Sequence, residues 1–245
     1  MQKQKILLIV AAGSASRMGY APKAASLVNG VPNLRNTVEK AYPHFDRIVV
    51  ISNGEYHSTY SEIVKDYKEK TDVRVILSGR GCGHAVLESL KIIKDVDADV
   101  VVSWGDAYFD TEEIFSEILS IDAMDSPLLI PVIKEEDPYV WFEFKDNLVK
   151  TARFSKFGEK TMSGYHDQSI FRLNKTTILW ALQMMHNVLE KDGKYTGEMV
   201  FLNVCHFLYN VEMPARSYVT THSTLAYNTE SELEEVNAAV QSLQA

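Results

Sequence analysis

Ile6-Leu7-Leu8-Ile9-Val10 is an unbroken apolar run, opened by Lys5, that empties directly into Ala11-Ala12-Gly13-Ser14-Ala15-Ser16-Arg17-Met18-Gly19-Tyr20-Ala21-Pro22-Lys23. A continuous run, as opposed to an alternating one, is what a strand buried on both faces of a parallel sheet requires. Similar runs recur at Arg47–Ile51, Val73–Leu77, Asp99–Ser103 and Leu128–Val132. They alternate with helical patterns near 34–42, 58–70, 84–94 and 111–120, which makes a βαβ series. The pattern then changes. Trp141-Phe142-Glu143-Phe144 and Leu148-Val149-Lys150-Thr151 flank Lys145-Asp146-Asn147 and predict a β-hairpin. Helices follow over 175–191 and 197–208, then a strand over 216–221. A last helix starts at Thr229, with Glu232 three residues on completing a capping box. Trp180, Phe201, Phe207, Leu208 and Tyr209 fall at helical spacing and are expected in the core.

Composition narrows the function. With 46% hydrophobic and 24% charged residues, the 245-residue chain has the balance of a folded globular protein and can bury a full core. A formal net charge of −8 disfavours a nucleic-acid backbone or an anionic membrane as partner, while leaving room for a small phosphate in a locally basic pocket. The two cysteines, Cys82 and Cys205, have no CxxC spacing and fit a reducing compartment. No run reaches the ~18 apolar residues that span a bilayer, and the first strand is too short for a signal peptide. A cytoplasmic protein is expected. No repeat or linker divides the chain, so one domain is expected over residues 1–245.

The loop after the first strand carries the first chemical signal. Small residues let backbone N–H groups approach an anion closely. Gly13 and Gly19 are six apart, which excludes GxGxxG, and there is no Gly-Lys-Ser/Thr of a Walker loop. Arg17 and Lys23 remain as the cations. A dinucleotide-dependent oxidoreductase would also want an acidic residue ending the second strand, where Ser52-Asn53 stands. Among the seven histidines there is no His-Glu-x-x-His pair, and no Gly-x-Ser-x-Gly elbow is present, so hydrolase chemistry is unsupported.

Leu8 to Gly19, followed by Pro22-Lys23, resembles the signature loop of the nucleotidyltransferases that make nucleoside-diphosphate sugars and related activated metabolites. The resemblance implies a Rossmann-like three-layer α/β/α fold with a mixed, mostly parallel sheet and a small β-hairpin insertion. It implies that Ala11, Ala12, Gly13 and Ser14 contact the nucleotide while Arg17 and Lys23 act on its phosphates. Ser78-Gly79-Arg80-Gly81-Cys82-Gly83-His84-Ala85 is similar to the base- and ribose-contacting segment of bacterial N-acetylglucosamine-1-phosphate uridylyltransferases, the closest motif match, and implies nucleotide contacts from Ser78, Gly81, Cys82 and Gly83. Cys82 replaces a common Thr, which leaves the base open. Ser103-Trp104-Gly105-Asp106 ends the fourth strand where α/β folds collect ligands. In the family this Asp binds catalytic magnesium, and an Asn or Asp before the last helix, here Asn228, is the second ligand. Trp104, Lys156, Asp167 and Glu198 are implied on the acceptor side, in a hairpin-bearing subregion over about 135–172 and in the Thr196–Leu202 segment.

The expected reaction is attack by an acceptor phosphate on the α-phosphate of a nucleoside triphosphate, CTP or UTP being favoured, with Mg2+ held by Asp106 and Asn228 and pyrophosphate leaving. The Gly-His-Ala segment favours a sugar 1-phosphate acceptor. The short Arg-to-Lys loop equally suits a cytidylyltransferase for phosphocholine, a polyol phosphate or another phosphorylated metabolite. A GT-A glycosyltransferase would want Asp-x-Asp, whereas Asp106 and Asp110 are four apart. A silent nucleotide-binding protein would keep the loop and lose the metal residues. A chain ending at Ala245 is expected to hold only the transfer half of the bifunctional uridylyltransferases. The aromatic hairpin, with Tyr139, Trp141 and Phe142, is a candidate homodimer surface.

Overall fold

The structure, a computed structural model, describes residues 3–14, 16–19, 21–77, 79–122, 126–191 and 194–243. Eight strands form its central sheet: β1 Gln4–Val10, β2 Arg47–Ser52, β3 Thr71–Val75, β4 Ala98–Trp104, β5 Leu128–Glu136, β6 Ser163–Asp167, β7 Ile170–Leu173 and β8 Arg216–Val219. β3, β2, β1 and β4 run parallel in that order. β7 pairs antiparallel with both β4 and β5, and β8 lies parallel to β5 on its other side. β6 continues the line of β7 along β5; the two are separated by Gln168 and Ser169, the latter at φ 57°. The sheet is therefore mixed and mostly parallel.

The apolar run of β1 explains the layering. Ile6, Leu7, Leu8 and Ile9 are all fully buried, and because side chains alternate across a strand they feed two cores. Ile6 and Leu8 pack with α3 (Cys82–Ile92), α5 (Lys175–Leu189) and α6 (Val204–Asn210). Leu7 and Ile9 pack with α1 (Asn33–Ala41), α2 (His57–Ile63) and α4 (Glu113–Ser120). Each such side chain contributes about 1.5–3 kcal/mol by leaving water. α7 (Glu230–Leu243) closes a third, smaller core with Met18, Val28, Tyr108 and Tyr227. The hairpin pairs Val140–Lys145 with Leu148–Phe154, and Asp146 and Asn147 both adopt positive φ, as a primed two-residue turn needs.

Three sequence expectations shift. The strand expected over 73–77 ends at Val75, and Leu77 is 86% exposed, because this edge strand has a partner on one side only. The pattern over 58–70 breaks at Val64 into a separate turn, Lys65–Tyr67. The helix expected from 197 begins only after a turn at Phe201–Asn203, since Met199 is drawn out to pair with Arg80 and Gly83. Phe201 and Leu208 are buried as expected, but Trp180 is half exposed, with its ring against Phe207.

Candidate functional site

Four side chains distant in sequence converge beyond the carboxyl ends of β1 and β4. Arg17 lies in the single turn Ser16–Met18, and Lys23 opens the turn Lys23–Ala25. Asp106 follows β4, and Asn228 precedes α7. A short antiparallel ladder, Ala107–Phe109 against Thr224–Ala226, sets Ala107 opposite Ala226. Asp106 and the Tyr227–Asn228 pair thus leave the same end of one ladder. Lys23 Nζ donates to Asp106 Oδ2 at 3.1 Å and to Asn228 Oδ1 at 3.0 Å. Arg17 Nη2 donates to the same Asn228 oxygen at 3.0 Å.

The backbone beneath these groups is pinned by Asn33 and Tyr227, which the sequence did not single out, and by Glu232 and Gly105 of the motifs already noted. Asn33, buried at the start of α1, donates through Nδ2 to Gly105 O at 3.3 Å and Ala107 O at 3.0 Å, the carbonyls on either side of Asp106. Tyr227 is fully buried and its hydroxyl donates to Lys23 O at 2.7 Å. Burial, with the Asp106 charge second, pushes that phenol well above the ordinary tyrosine range, which keeps it protonated as a donor. The Glu232 carboxylate accepts from the backbone N–H of Asn228, while Glu232 N donates to Thr229 Oγ1 at 3.2 Å. The expected cap is present, but its return contact reaches Asn228 and so orients that residue. Gly105 is required here: its N–H donates to Val10 O at 2.9 Å, and a Cβ would lie 2.7 Å from Ala11 Cβ.

The donor set suits a hard cation. Asp106 and Asn228 aim two oxygens at one point, and a positive group, the Lys23 ammonium, stands in for a cation there. Among the described residues no group of three or more His, Cys, Asp or Glu side chains could hold a metal alone. Magnesium bound through one or two protein oxygens, with substrate phosphates and water completing the shell, needs no more than this.

The second glycine motif packs against another stretch of backbone. Gly83 N donates to Met199 O at 2.7 Å, Met199 N to Arg80 O at 2.9 Å, and Phe201 N to Cys82 Sγ at 3.3 Å. A Cβ on Gly81, at φ 97°, would meet Met199 O and Glu198 Cγ at 2.6 Å, and one on Gly83 would meet Met199 O at 2.8 Å. Close approach of the 198–201 segment accounts for both glycines and brings Glu198 beside this loop. Ser78 lies outside the described residues. On the acceptor side, Trp104 packs its ring against Phe171 and Phe201 at 5.3 and 5.6 Å. The Trp104 backbone N–H donates to Ser169 O, and Ser169 N donates to Asp167 Oδ1, so Ser169 links the Trp104 backbone to Asp167. Desolvation by burial raises the Asp167 carboxyl. Lys156 falls in the turn Ser155–Phe157, and its side chain lies outside what the structure describes.

A family model described as a MobA-like NTP transferase domain matches residues 7–177, which include Arg17, Lys23 and Asp106. The chain belongs to this family. Over 96 residues the chain is 31% identical to a 2-C-methyl-D-erythritol 4-phosphate cytidylyltransferase of Porphyromonas gingivalis, covering 39% of this chain and 43% of that one. It is 24% identical to the bifunctional protein GlmU of Cereibacter sphaeroides over 125 residues, 51% of this chain and 28% of that one. The chain therefore matches less than half the length of these curated relatives. Among solved structures, a Bacillus anthracis protein described as a glucose-1-phosphate thymidylyltransferase superposes with a TM-score of 0.78 at 15% identity, covering 97% of this chain and 95% of that one. That likeness establishes the fold. No helix among the described residues is long and apolar enough to cross a membrane.

Proposed function

We propose that this NTP transferase moves a nucleoside monophosphate from its triphosphate onto the phosphate of a small metabolite, releasing pyrophosphate. The observation that carries the reading is the convergence of Arg17, Lys23, Asp106 and Asn228 on one point outside the sheet. A phosphate monoester has a second pKa near 6, so at neutral pH the attacking oxygen is already anionic and needs little help from a base. The remaining difficulty is holding two polyanions together, which calls for fixed cations and geometry. Arg17 and Lys23 draw negative charge toward the leaving pyrophosphate, and Lys23 exchanges its carboxylate partner for phosphate oxygens when the nucleotide enters. Asp106 and Asn228 are the residues that would hold magnesium, which when bound supplies charge neutralisation at the α-phosphate and the acceptor phosphate. Trp104, Asp167 and Glu198 border the acceptor.

Cytidine is the favoured base, because the relative named as a cytidylyltransferase matches at higher identity than the one named GlmU. The Gly79–Ala85 segment supports the second reading, uridylyl transfer to a sugar 1-phosphate. Phosphorus NMR of the products decides between them. With CTP and the correct acceptor, a new diphosphate ester doublet and free pyrophosphate arise together; a doublet with UTP and a sugar 1-phosphate alone would select the second reading. Release of inorganic phosphate without pyrophosphate would contradict both.

A further inference from the structure

A loop that offers backbone N–H groups to a polyanion must turn the matching carbonyls the other way, and those carbonyls then need buried donors. In this chain the donors come from the end of β2 and from α2. The Tyr56 hydroxyl donates to Ser14 O at 3.1 Å, the Tyr60 hydroxyl to Ala11 O at 3.4 Å, and Asn53 Nδ2 reaches Gly13 O at 3.5 Å. All three side chains are more than nine-tenths buried. The Asn53 amide is oriented by its other end, since Oδ1 accepts from Tyr56 N at 2.9 Å and leaves Nδ2 for the loop. Ala11 N is tied to Ile51 O at 2.9 Å. Among the described residues, no acceptor meets the N–H groups of Ala12, Gly13 or Ser14. The Tyr60 ring shares a buried cluster with Ala24, next to Lys23. Burial first, then the nearby phenols and Asp106, pushes that phenol up and keeps it protonated.

We propose that Asn53, Tyr56 and Tyr60 are positioning residues that form a donor bracket, holding the carbonyls of Ala11, Gly13 and Ser14 inward so that the loop's N–H groups face the triphosphate. The bracket deepens the transfer reading above and rests on it for the identity of the ligand. The bracket never touches the nucleotide; it acts through the backbone of the loop. Ordinary tyrosines in the core would need only their rings, so removing the hydroxyls separates packing from positioning.

The test compares wild type with Tyr56→Phe, Tyr60→Phe, their double variant and Asn53→Asp. The first readout needs no substrate: the initial rate of tryptic cleavage after Arg17 in the full chain. The double variant is expected to be cut at least ~5-fold faster there while the melting temperature falls by only a few degrees. The second readout is steady-state kinetics, in which KM for CTP rises ~10-fold with kcat and acceptor KM held within twofold. Asn53→Asp keeps the contact to Tyr56 N but sets a carboxylate against Gly13 O, so it is expected to raise nucleotide KM more than either single Phe variant. Unchanged cleavage after Arg17 overturns the bracket, as does a parallel rise of nucleotide and acceptor KM. If the double variant fails to fold, the single Phe variants decide by the same two readouts. A wild type that releases no pyrophosphate with any acceptor refutes the transfer reading instead, and the cleavage rates still decide whether the bracket holds the loop.

Discussion

Replacing Lys23 with Met keeps the apolar stem and removes the charge that joins Asp106 to Asn228. At 3.1 Å and an effective dielectric near 20, the Lys23–Asp106 attraction is about 5 kcal/mol before desolvation is counted. Both side chains keep partial access to water, at 18% and 27% exposure, so solvent screening and the cost of dehydrating the two ions cancel most of it. A net loss of about 1 kcal/mol remains, which for a chain of this size lowers Tm by about 2–4 °C. Catalysis should respond far more. A fixed cation aimed at developing negative charge is worth about 100- to 1,000-fold in rate, or about 3–4 kcal/mol. The measurement pairs calorimetric Tm with kcat/KM from pyrophosphate release. A small drop in Tm together with a rate loss of ~100-fold or more is expected; a variant that keeps its rate within threefold of wild type would refute the role given to Lys23.

Other expectations follow from the same geometry. In Lys23→Met the Asp106 and Asn228 oxygens lose their competing ammonium, so the nucleotide-free protein should bind Mn2+ more tightly than wild type in an electron paramagnetic resonance titration. Gly81→Ala combines positive φ with a Cβ 2.6 Å from Met199 O, and a cost of about 2–4 kcal/mol should appear as a Tm drop of about 5–15 °C, whereas Gly19→Ala, at φ 60° with open space around it, should cost about 1 kcal/mol. Arg172 donates through Nη1 to the carbonyls of Ile118, Leu119 and Ile121 at the end of α4 and through Nη2 to Asp99. Arg172→Met should destabilise by about 2–4 kcal/mol in urea denaturation, since it strips a charged partner from several part-buried acceptors. Burial pushes the Cys205 thiol up to about 12, above its unfolded value. The unfolded chain therefore loses this proton first, and the thiol's contribution to stability should be intact below about pH 8.5 and decline as pH rises toward 12, an alkaline decline that Cys205→Ala removes. Thiol labelling at pH 8 should modify half-buried Cys82 before Cys205.

Elements whose identity depends on neighbouring residues were legible in the sequence. The run Ile6–Val10 needs only its own side chains to declare a strand covered on both faces, and Asp146-Asn147 declares a tight turn through residues that tolerate positive φ. Arg17, Lys23, Asp106 and Asn228 were each readable from local motifs, and the fold brings them together. What escaped were contacts made across the chain. Asn33 lies 72 residues from Gly105, Tyr56 lies 42 from Ser14, and Tyr227 lies 204 from Lys23, so no local pattern marks them as supports of the site. The glycines of Gly81-Cys82-Gly83 carry no local sign in the sequence that another stretch of backbone, at Met199, approaches them. The late start of α6 has the same cause, since the tertiary pairing of Met199 with Arg80 and Gly83 outweighs the helical pattern over 197–200.

Pyrophosphate release in the presence of magnesium, with CTP, UTP, GTP, ATP and dTTP each set against sugar 1-phosphates and non-sugar phosphate monoesters, tests the central claim most directly. The account predicts release that requires one nucleotide, CTP before the others, together with one acceptor, and that falls ~100-fold or more in Asp106→Ala. Release that persists undiminished in Asp106→Ala, or a wild-type protein that neither releases pyrophosphate nor binds any of the five nucleotides, would contradict it.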